Sequence, residues 1–305
     1  MIEKESETPH VESSHAAETA NQKPSWMKGQ FPTGIDLLVF LGIFLLAQVV
    51  GLAVALFVGC SLPDAVALAS EDQAIREAAQ FSTAHFNAIC YVVAMSFTLV
   101  GFLLYRSRRR APQLEVHLSA RGLNPALLLW GVCFMVATSV VLEPLMALLP
   151  DVPNVYGRGV WAFLTLVVMA PLFEEVIFRG IILESARMKY GVMGAWLISS
   201  LIFGIVHGHP TVIVNAFFIG LILGFIYLRS GSLWSSIILH AINNGIAYVM
   251  LLWVGGNMMI IDLVGSRTLY VLIYIAAAAI FVISGYMMLR KLRSLKEAEK
   301  NQPQA

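Results

Sequence analysis

The sequence predicts an all-α, polytopic integral membrane protein of about eight transmembrane helices with both termini on the cytoplasmic side. Three observations carry that prediction. Hydrophobic residues make up 58% of the 305 positions and charged ones only 13%, with a mean hydropathy of +0.76, far from an average soluble composition. Eight apolar segments approach the roughly 20 residues needed to cross about 30 Å of hydrocarbon. When these segments are threaded back and forth, the 20 Lys and Arg residues sort by side, with only Arg76, Arg158 and Arg267 opposite all the others. Such asymmetry places the rich side in the cytoplasm.

The elements follow in order. Residues 1–34 are polar, rich in Glu, Ser and His, and carry too little apolar surface to fold. They lack the pattern of a cleavable signal peptide, so a disordered cytoplasmic tail and a retained first anchor, 37–58, are expected. A loop at 61–85 with Asp64, Glu71, Asp72, Arg76 and Glu77 has room for a short surface helix. Segment 86–105 runs into Arg106-Ser-Arg-Arg-Arg110, a basic cluster suited to hold a span end against anionic lipid. Residues 35–124 thus form two spans and a basic loop without a chemistry-bearing motif. The transmembrane core, 125–290, holds segments 125–149, 160–181, 192–207, 212–228, 233–254 and 269–289. Tight turns are expected at Tyr190-Gly191, at His207–Pro210, where Pro210 interrupts the helix, and at Arg229–Ser232. Gly220 and Gly224 allow helices to approach closely. Residues 291–305 form a cytoplasmic tail. Cys60, Cys90 and Cys133 form no C-x-x-C pair and read as packing residues. A net charge of +1 gives no reason to invoke nucleic acid; the surroundings implied are a lipid bilayer.

Three motifs within 160–250 break the apolar pattern: Glu174-Glu175-x-x-x-Arg179, Phe203-x-x-x-His207 and His240-x-x-x-Asn244. A charged group at membrane depth costs at least about 2.5–3.5 kcal/mol and usually marks a pathway or a reaction centre. Glu175 and Arg179, four apart, stack on one helix face as an ion pair. Glu174 projects about 100° away and is left as the free base. If the helices on either side of Tyr190-Gly191 form a hairpin, its midpoint at 190.5 is also the mean of 174 and 207. Both side chains then lie about 24 Å from the turn, with Phe203 closing the pocket one turn below His207. His240 and Asn244 share a face of the next-but-one segment. One carboxylate, two imidazoles and an amide suit general-base hydrolysis. Glu174, assisted by His207, takes a proton from water, and His240 with Asn244 donates to the oxyanion. Glu174, His207 and His240 are equally a candidate zinc set with an open position for water. No H-E-x-x-H is present, so zinc and metal-free versions both stay open.

These residues resemble the CAAX protease and bacteriocin-processing (CPBP, or Abi) family of intramembrane endopeptidases, which includes the Ras-converting CAAX endopeptidase. Glu174 to Gly180 match its first motif, Phe203 to His207 its second and His240 to Asn244 its third. The resemblance implies a hydrolase of eight helices in which Glu174 and His207 activate water, His240 and Asn244 hold the oxyanion, and Glu175 and Arg179 complete the first motif. The family is often labelled a metalloprotease, although a metal-free glutamate mechanism has been argued for it. The implied partner is a peptide or membrane-protein substrate, and short loops and tails suggest a bacterial plasma-membrane relative. Two other classes are compatible with the residues: a non-catalytic bacteriocin-immunity-type protein, and a proton-coupled transporter, although the matching halves of a transporter are not visible.

Overall fold

The computed structural model describes residues 31–150, 157–254 and 260–300; most of the expected N-terminal tail and residues 301–305 lie outside them. Among the described residues there is no strand, only one isolated bridge, Leu118 to Ser232. Among the same residues seven helices are long and apolar enough to cross a membrane. They are α1 (Gly34–Phe57), α2 (Gln73–Arg108), α3 (Pro125–Met146), the 46-residue run Val160–Ile205, α6 (Pro210–Ser230), α7 (Leu233–Val254) and α8 (Arg267–Lys300). The long run is folded back on itself at Gly191, whose φ of 71° and ψ of 178° suit only glycine. Its arms, 160–190 (α4) and 192–205 (α5), are the fourth and fifth expected segments. They touch as the hairpin requires. The Phe178 and Phe203 rings lie 5.1 Å apart, symmetric about 190.5, and Ser199 Oγ donates to the Phe178 carbonyl at 2.8 Å.

Helix ends depart from expectation where polar residues favour helix. Asp72 caps α2 through the Ala74 and Ile75 amides and starts it 13 residues before the expected span, because Gln73–Ala79 is rich in Ala and other good helix formers. At 36 residues α2 is about 54 Å long and must extend beyond the hydrocarbon. The loop before it holds the short helix Ala65–Leu68. α8 likewise continues through Lys291–Lys300 into the expected tail. At α1, Thr33 and Asp36 form a reciprocal capping box.

One end of the molecule gathers the basic residues. Arg109 pairs with the buried Asp36 at 2.9 Å, Arg106 bonds Ser185 and the Pro112 carbonyl, and Arg187 pairs with Glu184 and Glu115. Tyr227 donates to Glu184 at 2.7 Å, and the Leu233 amide donates to the His117 carbonyl. These contacts tie the start of α1, the end of α2, the 106–122 loop, the α4–α5 tip and the α6–α7 turn to one level. Arg158 is at the other end, bonded to the carbonyl of Leu251, with its amide on that of Gln80. Between the ends the outer surface is apolar. Leu38, Leu45 and Val49 on α1 and Leu272, Ile275 and Val282 on α8 are all more than half exposed, a surface that a lipid solvent accommodates.

Candidate functional site

α4 is irregular where the first motif sits. Leu164–Met169 and Val176–Leu183 run in π register on either side of the α-helical Ala170–Glu175, and π stretches are frequent at functional sites. Pro171 explains part of this. In i to i+5 register its missing N–H would have served the Leu166 carbonyl, and that carbonyl instead accepts from Asn244 Nδ2 at 3.0 Å. The amide of the third motif therefore repairs a gap opened by a proline of the first. The neighbouring Asn243 Nδ2 donates to Asn244 Oδ1 at 3.4 Å.

Glu175 is fully buried and Arg179 is 1% exposed, and they form the expected pair with Arg179 Nη1 2.9 Å from Glu175 Oε1. Arg179 Nη2 also donates to the Gly220 carbonyl at 3.2 Å, and its guanidinium lies 4.6 Å from the Phe203 ring centroid. Gly220 permits this: a Cβ there would meet Phe203 Cδ1 at 3.0 Å and Ser200 Cα at 3.3 Å. α5 and α6 thus close over the cation.

The pair has a third member that the spacing did not reveal. His240 Nδ1 lies 2.9 Å from Glu175 Oε1. A carboxylate only accepts, so this nitrogen carries the proton, and the opposite edge of the ring, Nε2, stands 3.8 Å from Glu174 Oε2. One imidazole therefore contacts both carboxylates. Glu174 is not free either: Tyr91 of α2 donates its hydroxyl to Glu174 Oε1 at 2.8 Å. Tyr91 was missed because it is 83 residues away, and no spacing rule links them. A polar-tipped aromatic ring inside a span was the only available signal.

His207 ends α5. Its Nδ1 lies 2.7 Å from the Phe203 carbonyl, which the helix end leaves without an amide partner. A carbonyl accepts, so Nδ1 donates and Nε2 is available. Phe203 stands between the two histidines, edge-to-face with His207 at 5.0 Å and with His240 at 5.7 Å. Phe178 and Phe203 face each other, and Glu174 and His207 lie one turn further along their respective arms. The structure thus brings Glu174, Glu175, Arg179, Phe203 and His240 into one contact set with Tyr91, sets His207 beside it, and joins Asn244 through Leu166. No hydrogen bond links Glu174 directly to His207 among the described residues.

Among those residues no three His, Cys, Asp or Glu side chains are gathered so that they could hold a metal ion. The Nδ1 atoms of His207 and His240 are each held by an acceptor, as in ligating histidines, but Glu174, His207 and His240 are not gathered into a ligand set. As arranged, the set does not fit zinc.

A helical membrane protein with an acid–imidazole cluster buried among its spans is the class that fold and site define. Residues 156–246 match the protein family described as Rce1-like, type II CAAX prenyl endopeptidase. The matched region, under a third of the chain, holds all three motifs. Two curated relatives also match. The "Putative membrane peptidase YdiL" of Bacillus subtilis (strain 168) is 35% identical over 83 residues, 27% of this chain and 34% of that protein. An "Uncharacterized 24.3 kDa protein" of Escherichia coli is 34% identical over 113 residues, 34% of this chain and 50% of that protein. The matched stretches span between a third and half of those relatives' lengths. No solved structure matches.

Proposed function

We propose that this integral membrane protein is an intramembrane endopeptidase that cleaves a peptide or membrane-protein substrate with a glutamate-activated water. The observation that carries the reading is the pairing of Glu174 with a hydroxyl on one oxygen and an imidazole edge on the other, beside a fully buried ion pair. Tyr91 engages Oε1, which leaves Oε2, facing His240, as the oxygen that takes the proton from water. The hydroxide attacks the scissile carbonyl carbon, and Glu174 then returns the proton to the departing amine nitrogen. Glu175 holds His240 by Nδ1 as the aspartate holds the histidine of a serine-protease triad. Protonated on both nitrogens, His240 can donate through Nε2 to the tetrahedral oxyanion. In that state the cluster is neutral, two carboxylates against a guanidinium and an imidazolium, which limits the cost of burying it. His207, its Nδ1 fixed on the Phe203 carbonyl, presents Nε2 to orient the water. Asn244 holds Leu166 with one amide hydrogen and retains a second for the oxyanion.

Support from relatedness is the match of residues 156–246 and the peptidase naming of the Bacillus relative. The distribution of Lys and Arg supports both termini in the cytoplasm of a bacterial plasma membrane. In the same reading residues 125–290 form the catalytic unit and residues 35–124 are mainly anchoring, except that α2 contributes Tyr91. The test compares membrane-peptide profiles of cells carrying the wild type, Glu174→Ala or His207→Ala at equal protein levels. Fragments present only with the wild type are expected; the same fragments in both variants would overturn the proposal.

A further inference from the structure

Away from the acid–imidazole cluster, α3, α6 and α8 enclose a groove of about 310 Å³. Its exposed wall is apolar throughout, because its polar groups are turned inward: Thr138 Oγ1 donates to the Phe134 carbonyl at 2.6 Å and Trp196 Nε1 to the Leu221 carbonyl at 2.8 Å. On α6 the groove follows Phe218, Ile222 and Phe225, and on α8 it follows Phe281, Gly285 and Leu289. At 1.5 Å per residue each stripe is about 10–12 Å deep. Gly285 keeps the groove open, since a Cβ there would lie 3.0 Å from Phe134 Cε2.

Both stripes end in arginine at the next turn. Phe225 is followed four residues on by Arg229, whose guanidinium lies 5.4 Å from the Phe225 ring centroid, and Leu289 is followed by Arg293. Leu289 is also shared with an adjoining pit of about 330 Å³, lined by Tyr286, Arg290, Arg293, Ser294 and Glu297. Ile226, Met288 and Leu292 belong to one apolar cluster, which draws on the C-terminal halves of both α6 and α8. Glu297 offsets one of the three guanidinium charges, and the mouth stays cationic. A dry channel inside the bilayer, opening on two or three arginines at its rim, matches a hydrocarbon chain joined to a phosphate. Basic pockets between membrane helices bind anionic head groups in this way, with Arg suited to phosphate by its planar fork.

We propose that this groove is a binding site for one anionic glycerophospholipid, its acyl chain along Phe218–Phe225 and Phe281–Leu289 and its phosphate between Arg229, Arg290 and Arg293. None of these residues belongs to the proposed catalytic set, so the site stands or falls independently of peptidase activity. The test uses the full chain in mild detergent, titrated with phosphatidylglycerol or phosphatidylcholine of identical chains and read by native mass spectrometry. The wild type should retain phosphatidylglycerol preferentially. Arg229→Gln with Arg293→Gln, both exposed, should weaken phosphatidylglycerol by roughly fivefold per guanidinium and leave phosphatidylcholine unchanged, with a melting curve to verify folding. Gly285→Leu, which fills the groove, should weaken both lipids, with a melting curve to verify folding. Soluble glycerol phosphate should not compete. Equal retention of the two lipids by the wild type, an unchanged preference in the arginine variant, or displacement by glycerol phosphate would each overturn the proposal.

Discussion

Arg179→Met removes a guanidinium that is 1% exposed and leaves Glu175, at 0%, without its cation. An ion pair this deep repays the cost of desolvation only while both partners are present. Removing one typically costs about 3–5 kcal/mol, whereas replacing both with apolar or neutral groups is often close to neutral. The variant also loses the hydrogen bond to the Gly220 carbonyl and the stacking on Phe203, so the upper part of that range is expected. Glu175→Gln keeps an acceptor for His240 Nδ1 but leaves Arg179 uncompensated, and about 2–3 kcal/mol is expected from an unpaired buried charge whose other hydrogen bonds survive. The double variant Glu175→Gln/Arg179→Met should be more stable than the sum of the singles by about 2 kcal/mol or more. The measurement is reversible unfolding of all four proteins in one detergent, treated as a double-mutant cycle. Effects that add within about 0.5 kcal/mol would refute the claim that the two charges act as one unit, and the electroneutral cluster with it.

Tyr91→Phe removes the hydroxyl on Glu174 Oε1. A hydrogen bond to a charged group contributes about 1.5–3 kcal/mol to stability, so unfolding in detergent should show a loss of up to that size, and cleavage should slow because Glu174 is no longer held with Oε2 toward His240. Asn244→Leu leaves the Leu166 carbonyl without the donor that compensates for Pro171 and should cost about 1–3 kcal/mol; Asn244→Gln at equal activity and stability would argue against this placement. Zinc quantified in purified protein, with cleavage assayed before and after chelation, tests the donor arrangement: activity retained at well below one zinc per chain is expected, and activity restored only by added zinc would show that the donors regroup around a metal.

Much of the architecture was legible because the signals are local. Apolar runs, Gly191 and Pro210 placed the α4–α5 hairpin and the turn after His207, and the symmetry about 190.5 reappears in the Phe178–Phe203 contact. The four-residue spacing of Glu175 and Arg179 is likewise a property of one helix. Helix ends were less legible: α2 and α8 overrun their apolar segments because Ala, Glu, Lys and Arg continue a helix as readily as Leu does. The contacts that complete the site were not legible at all. The Tyr91–Glu174 and His240–Glu175 bonds and the closure of Asn244 on Leu166 join different helices, and they depend on rotation about helix axes that no periodicity specifies. The π register of α4 shifts those rotations further.

Helix geometry also bears on why the motif carries two adjacent glutamates, both in the α-helical stretch Ala170–Glu175. Consecutive helical residues point about 100° apart, so two carboxylates in sequence cannot share one rigid partner by stacking as Glu175 and Arg179 do. An imidazole can serve both, because its two nitrogens sit on different edges of a flat ring. His240 uses Nδ1 for Glu175 at 2.9 Å and turns Nε2 to Glu174 at 3.8 Å. The first contact is short and buried against a guanidinium; the second is longer, and Glu174 retains 12% exposure. Glu175, held by Arg179, thereby fixes the ring, and in the proposed reaction the ring would set where the second carboxylate meets a proton. The different surroundings of two chemically identical side chains follow from one residue of helical rotation and from which of them Arg179 reaches.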